Sequence, residues 1–255
     1  FIKSFYRRSD MSMLELTPDF IKEFAAYLST EAGLRNGSIW ANCMWLKGVV
    51  MKAHYNGLIP RNPFIQFHIS PNVKEREYLT EDELKAVMTH EFADSKLAYI
   101  RDIFIFASFT ALSFVDIQEL TNDNIVEVNG EKWILSKRHK TKVAFQVKLL
   151  DIPLQIVERY RPMQKDNRIF PGLNYWSICK PLKRMIRECG ITKSISFHCS
   201  RHGFATLALS KGMPIESVSR VLGHTNIVTT QLYAKITTQK LDNDLTMFGD
   251  KLSKT

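Results

Sequence analysis

Apolar residues in the first part of the chain recur at the spacing of amphipathic helices. Thr17 followed by Pro18 is typical of a helix start. The apolar stripe that follows consists of Phe20, Ile21, Phe24, Ala25 and Leu28. A second apolar pattern predicts a helix that Ser38 caps and Gly57 ends. Together these patterns predict a small helical domain over residues 1–69.

A break in this periodicity predicts a boundary between two domains. Residues 70–79 are polar, contain Pro71 and show no period, which is typical of a linker. The segment Thr80–Glu83 has the composition of a capping box, and a long apolar helix is predicted from about residue 96 to 110. We therefore expect a second domain over residues 80–255.

The middle of the second domain has the alternation of β-strands rather than of helices. Ile125–Val128 and Lys132–Lys137 flank Asn129-Gly130, a pair that favours a type I′ hairpin turn. A third strand is predicted from Val143 to Leu150. Helical patterns resume at Pro153 and continue to a last amphipathic helix over residues 237–252. The predicted fold class is mainly α with a small antiparallel β-sheet (α+β).

Composition and charge narrow the possible partners. The chain has 255 residues, with 35 Lys and Arg against 26 Asp and Glu, and a net charge of +9. Such a balance favours an anionic partner, of which nucleic acid is the first candidate. The longest apolar run, residues 103–112, is too short to span a bilayer, and the first ten residues lack the apolar core of a signal peptide. We expect a cytoplasmic protein with no membrane partner.

The segment from residue 198 to 233 carries a group of side chains that suits phosphate chemistry. His198 and Arg201 stand three apart, which places them on one face of a helix. Gly223 ends a later helix and is followed by His224, and Tyr233 comes nine residues further on. A cation, two imidazoles and a phenol are suited to act on a phosphodiester.

Metal binding is not expected at these histidines. His198 and His202 are four residues apart, a spacing that zinc sites use, but no third ligand is evident in the sequence. The four cysteines form no metal-binding pattern either. We therefore expect no metal and interpret His202 as a core or supporting residue.

The order and spacing of these residues resemble the tyrosine recombinase (phage integrase) family. Leu222 and Gly223 precede His224 as in that family, and Thr110–Leu120, TALSFVDIQEL, is similar to its first conserved box. Lys140, in the segment RHKTK between two predicted strands, stands in the place of the family's hairpin lysine. The resemblance implies a helical core-binding, SAM-like DNA-binding domain followed by a catalytic domain.

The resemblance also implies a role for each side chain. Tyr233 would attack the phosphorus and form a 3′-phosphotyrosyl bond, releasing a 5′ hydroxyl without metal, ATP or another cofactor. Arg201 would bind non-bridging phosphate oxygens, and His224 would donate a hydrogen bond to one of them. His198 would act as a general base near Tyr233 or donate to the phosphate. Lys140 would be the general acid for the leaving oxygen.

Ser113 departs from the family pattern, because the first box usually carries an arginine at this place. We expect Arg138 to act as the surrogate cation. It precedes Lys140 by two residues, and side chains two apart on a strand share a face. Some integrases of mobile elements from the Bacteroides group look similar, with a residue other than arginine in this box and an RxK pair on the hairpin. Asp116 would support the site by orienting Arg201 or a histidine.

The expected function is that of a site-specific DNA recombinase, the integrase of a conjugative transposon or prophage. The resemblance implies double-stranded DNA as the partner and a homotetramer on paired sites, held together by the C-terminal helix after Lys235. Host or element proteins that bend DNA are possible further partners. Because of Ser113, an alternative is a catalytically impaired DNA-binding relative that acts as a regulator. A type IB topoisomerase is a third reading.

Overall fold

The computed structural model describes residues 1–7, 10–71, 77–164, 166–234 and 238–253. The chain divides into two compact units, residues 1–75 and 76–255. Both units are mainly helical, and the second contains a three-stranded antiparallel sheet. The predicted fold class is confirmed.

In its described residues, the first unit has three α-helices: α1 (Ile2–Tyr6), α2 (Pro18–Thr30) and α3 (Asn36–Tyr55). Its core contains Phe20, Ile21, Phe24, Leu28, Ile39, Cys43, Leu46 and Val50. Thr17 caps α2 as predicted, because its Oγ1 accepts the N–H of Phe20 at 3.2 Å. The predicted cap at Ser38 is wrong: the N–H of Ser38 already donates to the carbonyl of Arg35, so α3 begins two residues before Ser38.

The second unit contains nine α-helices and three strands among its described residues. They are α4 (Glu81–Thr89), α5 (Ser95–Thr110), α6 (Phe114–Gln118), β1 (Ile125–Val128), β2 (Glu131–Lys137), β3 (Ala144–Lys148), α7 (Asp151–Tyr160), α8 (Tyr175–Glu188), α9 (His198–Ser210), α10 (Ile215–Leu222), α11 (Val228–Gln231) and α12 (Thr238–Leu252). The helix predicted over residues 237–252 corresponds to α12, although residues 235–237 lie outside the described part of the chain.

The strand β2 lies between β1 and β3, and both neighbours are antiparallel to it. Asn129 and Gly130 have φ of 54° and 79°, the positive values that a type I′ turn requires. The third strand is shorter than the predicted Val143–Leu150. It pairs only from Ala144, opposite Lys137, to Lys148, opposite Trp133.

The predicted capping box before α4 is present. Thr80 Oγ1 accepts the N–H of Glu83 at 3.2 Å, and Glu83 Oε2 accepts the N–H of Thr80 at 2.7 Å. Residues 72–76 of the predicted linker lie outside the described residues. Its last residues contact the second unit, since Glu77 accepts the N–H of Ser194 at 2.6 Å and Leu79 is buried.

Helix α5 forms the centre of the second unit and leads into the candidate site. It packs against α4, α7, α8 and α9. The helix ends at Thr110, as predicted, and Ala111 then adopts the left-handed conformation with φ of 56°. The carbonyl of Ala111 in this turn accepts a hydrogen bond from Arg201 of α9. No described helix is long and apolar enough to cross a membrane.

Candidate active site

Helix α9 places His198 and Arg201 in its first turn, as the sequence predicted. His198 is exposed, whereas Arg201 is buried. The guanidinium of Arg201 donates from Nη1 to the carbonyl of Ala111 at 2.7 Å and from Nη2 to the carbonyl of Leu222. Backbone carbonyls from two distant helix ends therefore fix the orientation of this guanidinium.

The C-terminal end of α10 is the point where two arginines meet. Gly223 ends the helix with φ of 63°, as predicted. The carbonyl of Leu222 binds Arg201, and the carbonyl of Val221 accepts a hydrogen bond from Arg138 Nη2 at 2.5 Å. Cations are favoured at this end of a helix, because its last carbonyls lack intrahelical partners and the helix dipole is negative there.

Arg138 is buried although it follows the last residue of β2. Its Nη1 donates to Asp116 Oδ2 at 2.8 Å, and its Cζ lies 4.1 Å from the ring centroid of Phe145. An arginine over an aromatic face gains a cation–π attraction that burial strengthens. Arg138 therefore lies in the same pocket as Arg201. The prediction that Arg138 and Lys140 share one face of a strand is nevertheless wrong.

The error concerns the geometry of residues 138–142. The strand ends at Lys137, and the N–H of Lys142 donates to the carbonyl of Arg138 at 2.8 Å, which makes this segment a turn. In a turn, residues two apart need not share a face. Arg138 accordingly points into the protein, while Lys140 is exposed at the tip of the hairpin.

Ser113 and Asp116 form the N-terminal cap of α6. Ser113 Oγ donates to Asp116 Oδ2 at 2.7 Å and accepts the N–H of Asp116 at 3.4 Å. The other oxygen of Asp116 accepts the backbone N–H of His139 at 3.0 Å. The expected contact of Asp116 with Arg201 or a histidine side chain is not among the hydrogen bonds of the described residues. Asp116 orients Arg138 instead.

The charges of this pocket are unbalanced. Burial alone would raise the pKa of Asp116, but hydrogen bonds from His139, Ser113 and Arg138 lower it overall, so the carboxyl is ionised. Burial lowers the pKa of Arg201 to about 10, and the nearby charge of Arg138 acts in the same direction. Among the described residues, Asp116 forms its ion pair with Arg138, whereas Arg201 is held by backbone carbonyls. The pocket therefore carries more positive than negative charge and favours an anion.

His224 follows Gly223 and is half-buried next to the arginines. Its Nδ1 lies 2.8 Å from Oγ1 of the buried Thr230. Burial lowers the pKa of His224 to about 4, and the positive charges of Arg201 and Arg138 add to this effect. The ring is therefore neutral at pH 7. When the Thr230 hydroxyl donates to Nδ1, the ring proton is on Nε2, which can then donate to a ligand.

Tyr233 lies in the turn after α11, where its N–H donates to the carbonyl of Thr230 at 3.0 Å. Its ring centroid is 5.1 Å from that of His202, which in turn is 4.6 Å from that of His198. Tyr233 also packs against a buried cluster that includes Ala111 and Leu222. The candidate nucleophile therefore lies beside the arginine pocket.

The structure brings together most of the residues that the sequence singled out. Arg138, Arg201, His224 and Tyr233 surround one region, and His198 lies at its edge. Lys140 makes no hydrogen bond or ion pair with any described residue. Across the described ranges, no group of three or more His, Cys, Asp or Glu side chains is close enough to hold a metal ion.

Sequence reasoning missed two residues of the site, Phe145 and Thr230, and one contact, that of Gly223 with Arg138. Phe145 lies under Arg138, Thr230 binds His224, and Gly223 lies against the stem of Arg138. The alternation of β3 marks Phe145 as inward-facing, but no pattern in the sequence indicates that it meets a cation. Thr230 carries no signal beyond its spacing from His224.

Comparison with known families matches both units of the chain. Residues 77–240 match the phage integrase family, and residues 1–69 match the phage integrase SAM-like domain. The tyrosine recombinase XerA of Pyrococcus horikoshii is 32% identical over 177 residues, which are 64% of this chain and 58% of that protein. The tyrosine recombinase XerC of Lactobacillus leichmannii is 25% identical over 229 residues, 84% of this chain and 77% of that protein.

Solved structures show a similar fold. The integrase of transposon Tn1549, in complex with a circular intermediate DNA, superposes with a TM-score of 0.78 at 18% identity, covering 92% of this chain and 86% of that one. A lambda integrase dimer bound to a COC′ core site gives a TM-score of 0.71 at 18% identity, with coverages of 91% and 84%. Because the phage integrase match alone spans more than half of the sequence, this chain belongs to the phage integrase family.

Proposed function

We propose that the chain is a site-specific DNA recombinase that cleaves and rejoins duplex DNA through a 3′-phosphotyrosyl bond. The observation that carries the proposal is the pair of buried guanidiniums of Arg138 and Arg201 beside Tyr233, of which only Arg138 is paired with a carboxylate, that of Asp116. A phosphodiester is an anion of the size and charge that such a pair binds.

Each guanidinium is held in place but keeps donors for a ligand. An arginine has five N–H groups, and the two hydrogen bonds of Arg201 go to the carbonyls of Ala111 and Leu222. Arg138 uses two for Asp116 and Val221. The protein therefore aligns the cations before the substrate binds, which is the arrangement that stabilises charge in a transition state.

The proposed reaction assigns one role to each of the other side chains. The phenol oxygen of Tyr233 attacks phosphorus, His198 takes up the phenol proton, and the bond from phosphorus to the 5′ oxygen breaks. Lys140 gives a proton to the departing 5′ oxygen. His224, neutral and anchored by Thr230, donates a hydrogen bond to a non-bridging oxygen. A 5′ hydroxyl from a second strand reverses these steps and joins the DNA.

We propose that this chemistry serves integration and excision of a mobile element. The neighbours in structure include a transposon integrase and a lambda integrase, each solved with DNA. We also propose a homotetramer on paired DNA sites, held together by α12. The exposed apolar side chains of this helix support the proposal; they are Leu241, Leu245, Phe248 and Leu252. These recur at helical spacing, so α12 presents one apolar stripe that a neighbouring copy could cover. Accessory DNA-bending proteins are part of the same proposal.

A regulator without cleavage activity is the second candidate, and Ser113 is the observation that favours it. A serine brings no charge to the phosphate, and its hydroxyl is already bonded to Asp116. The two candidates make opposite predictions about covalent capture of DNA, so one experiment separates them.

The experiment uses nicked suicide duplexes that tile the DNA on both sides of the coding region. A nick near the scissile phosphate releases a short fragment, so the covalent complex cannot rejoin. We expect an SDS-resistant protein–DNA band on at least one duplex. Tyr233→Phe should abolish the band, whereas Tyr55→Phe, at an exposed tyrosine of α3, should keep it. Site-specific binding without any covalent band would support the regulator, and relaxation of supercoils without site preference would support a topoisomerase.

A further inference from the structure

We infer that Gly223 is a positioning residue for Arg138: its missing side chain leaves the space that the arginine stem occupies. The inference deepens the proposed function, because it rests on Arg138 being a phosphate ligand there. It assigns to the glycine before His224 a second role, in addition to ending α10.

The contact between the two residues is close. A Cβ atom built on Gly223 would lie 2.8 Å from Nε, 3.0 Å from Cγ and 3.5 Å from Cδ of Arg138. Carbon atoms in packed proteins are ordinarily separated by about 3.5–4.0 Å, so any side chain at position 223 would overlap the arginine.

Arg138 cannot easily move away from such a side chain. Its guanidinium is held by Asp116 at 2.8 Å and by the carbonyl of Val221 at 2.5 Å, and it lies over the ring of Phe145. The clash involves Cγ and Nε, in the middle of the side chain rather than at its end. Relief of the overlap would therefore break at least one of the contacts that orient the guanidinium.

Other glycines of the second unit do not carry this constraint. Gly130, Gly172, Gly190 and Gly212 also have positive φ, but a Cβ on any of them would meet no atom within 4 Å. Gly212 is the best match to Gly223, since it also follows the C-terminal end of a helix, α9, and has φ of 89°. Substitution of Gly212 brings backbone strain alone, whereas substitution of Gly223 brings strain and a clash with Arg138.

The first test compares Gly223→Ala with Gly212→Ala on the nicked duplexes. We expect Gly223→Ala to lower the rate of covalent capture about 10²–10³-fold, similar to Arg138→Ala and to the loss of one transition-state donor. Gly212→Ala should stay close to the unsubstituted protein. Asparagine tolerates positive φ better than alanine, so Gly223→Asn and Gly212→Asn repeat the comparison with less backbone strain. Equal effects at the two positions would overturn the inference.

A second readout separates a displaced arginine from general damage to the fold. A methylphosphonate at the scissile position removes the negative charge of one non-bridging oxygen, so a guanidinium contributes less to its cleavage. Gly223→Ala and Arg138→Ala should both lose much less activity on methylphosphonate than on phosphate. A loss of the same size on both substrates would indicate a structural defect and would count against the inference.

A failure of the proposed function can be distinguished from a failure of the inference about Gly223. If the unsubstituted protein captures no DNA, the recombinase proposal fails, but the contact with Arg138 can still be tested by thermal unfolding. Gly223→Ala should lower the Tm less in the Arg138→Ala background than in the unsubstituted protein, since the clash is then absent. Equal Tm losses in both backgrounds would overturn the inference about Gly223, whatever the activity.

Discussion

Arg138 and Asp116 form a buried ion pair, with Nη1 2.8 Å from Oδ2, although 22 residues separate them in the chain. Asp116 belongs to α6, and Arg138 to the loop after β2. The pair joins the hairpin to the helix that Ser113 caps. Ser113 binds Asp116, and Asp116 binds Arg138. The predicted replacement of the family's arginine, Ser113, thus helps to hold the arginine that we propose as its surrogate.

Arg138→Ala should abolish most cleavage while DNA binding persists. The loss of one oriented donor to a phosphate in the transition state lowers the rate by about 10²–10³-fold. Arg138→Lys should recover only part of the rate, because an ammonium cannot bind Asp116 and the carbonyl of Val221 with the same planar geometry. Single-turnover capture on the nicked duplex measures the rate, and gel shift measures the affinity.

The matched control is Lys137→Ala, which removes a neighbouring positive charge that is exposed at the end of β2. We expect this variant to alter the salt dependence of binding at most, with the capture rate nearly unchanged. Normal cleavage by Arg138→Ala would contradict the assignment of Arg138 as the surrogate cation.

Ser113→Ala should affect stability more than chemistry. The substitution removes the cap of α6 and the hydrogen bond to Asp116, which together cost about 1 kcal/mol of the free energy of unfolding. Denaturant titration measures this loss. The capture rate should fall only a few-fold, because Arg138 keeps its bond to Asp116. A loss as large as that of Arg138→Ala would show that the Ser113 hydroxyl itself acts on the phosphate.

Acid should destabilise the protein through His224. Its pKa is about 4 in the folded protein against 6.5 for an unperturbed histidine, because of burial and the charges of Arg201 and Arg138. The unfolded chain therefore binds more protons between these values. Stability contributed by the neutral ring is complete above pH 6.5 and is lost as the pH falls toward 4.

Unfolding titrations between pH 7 and pH 4 test this expectation. His224→Gln, which cannot titrate, should flatten the dependence of the free energy of unfolding on pH across this window. His139→Gln, at an exposed histidine of the hairpin, is the control for the removal of a histidine as such. An unchanged slope in His224→Gln would contradict the assignment of the neutral ring.

Lys140→Ala should lose most cleavage of the normal substrate. A substrate whose leaving group needs no proton should restore cleavage by this variant. A general acid contributes about 10²–10⁴-fold, and Lys140 is exposed on the hairpin. A sulfur atom in place of the 5′ bridging oxygen leaves without a proton, since a thiol has a pKa of about 8.5. Cleavage of this phosphorothiolate by Lys140→Ala should therefore approach that of the unsubstituted protein.

Lys142→Ala is the control for this experiment, as it removes an exposed lysine from the same hairpin. It should cleave both substrates at nearly the unsubstituted rate. If sulfur fails to restore cleavage in Lys140→Ala, the lysine binds DNA or stabilises the hairpin and is not the general acid.

Local sequence patterns predicted the elements of the fold well. The caps at Thr17 and Thr80, the turn at Asn129 and the helix end at Gly223 all occur where the sequence placed them. Each of these features depends on atoms within a few residues of one another. The start of α3 was missed because Arg35, which has no side-chain capping bond, precedes it.

By itself, the sequence determined most of the longer helices, the three-stranded hairpin region and the placement of His198 and Arg201 in one helical turn. It also predicted that Ser113 stands where the family carries an arginine. Only the tertiary structure decided which contacts surround His198 and Arg201 in the site. Arg138 reaches the carbonyl of Val221 across 83 residues, and its stem fits only because position 223 is glycine. Such contacts depend on how α6, α10 and the hairpin pack together, and packing at that range leaves no periodic signal in a single sequence.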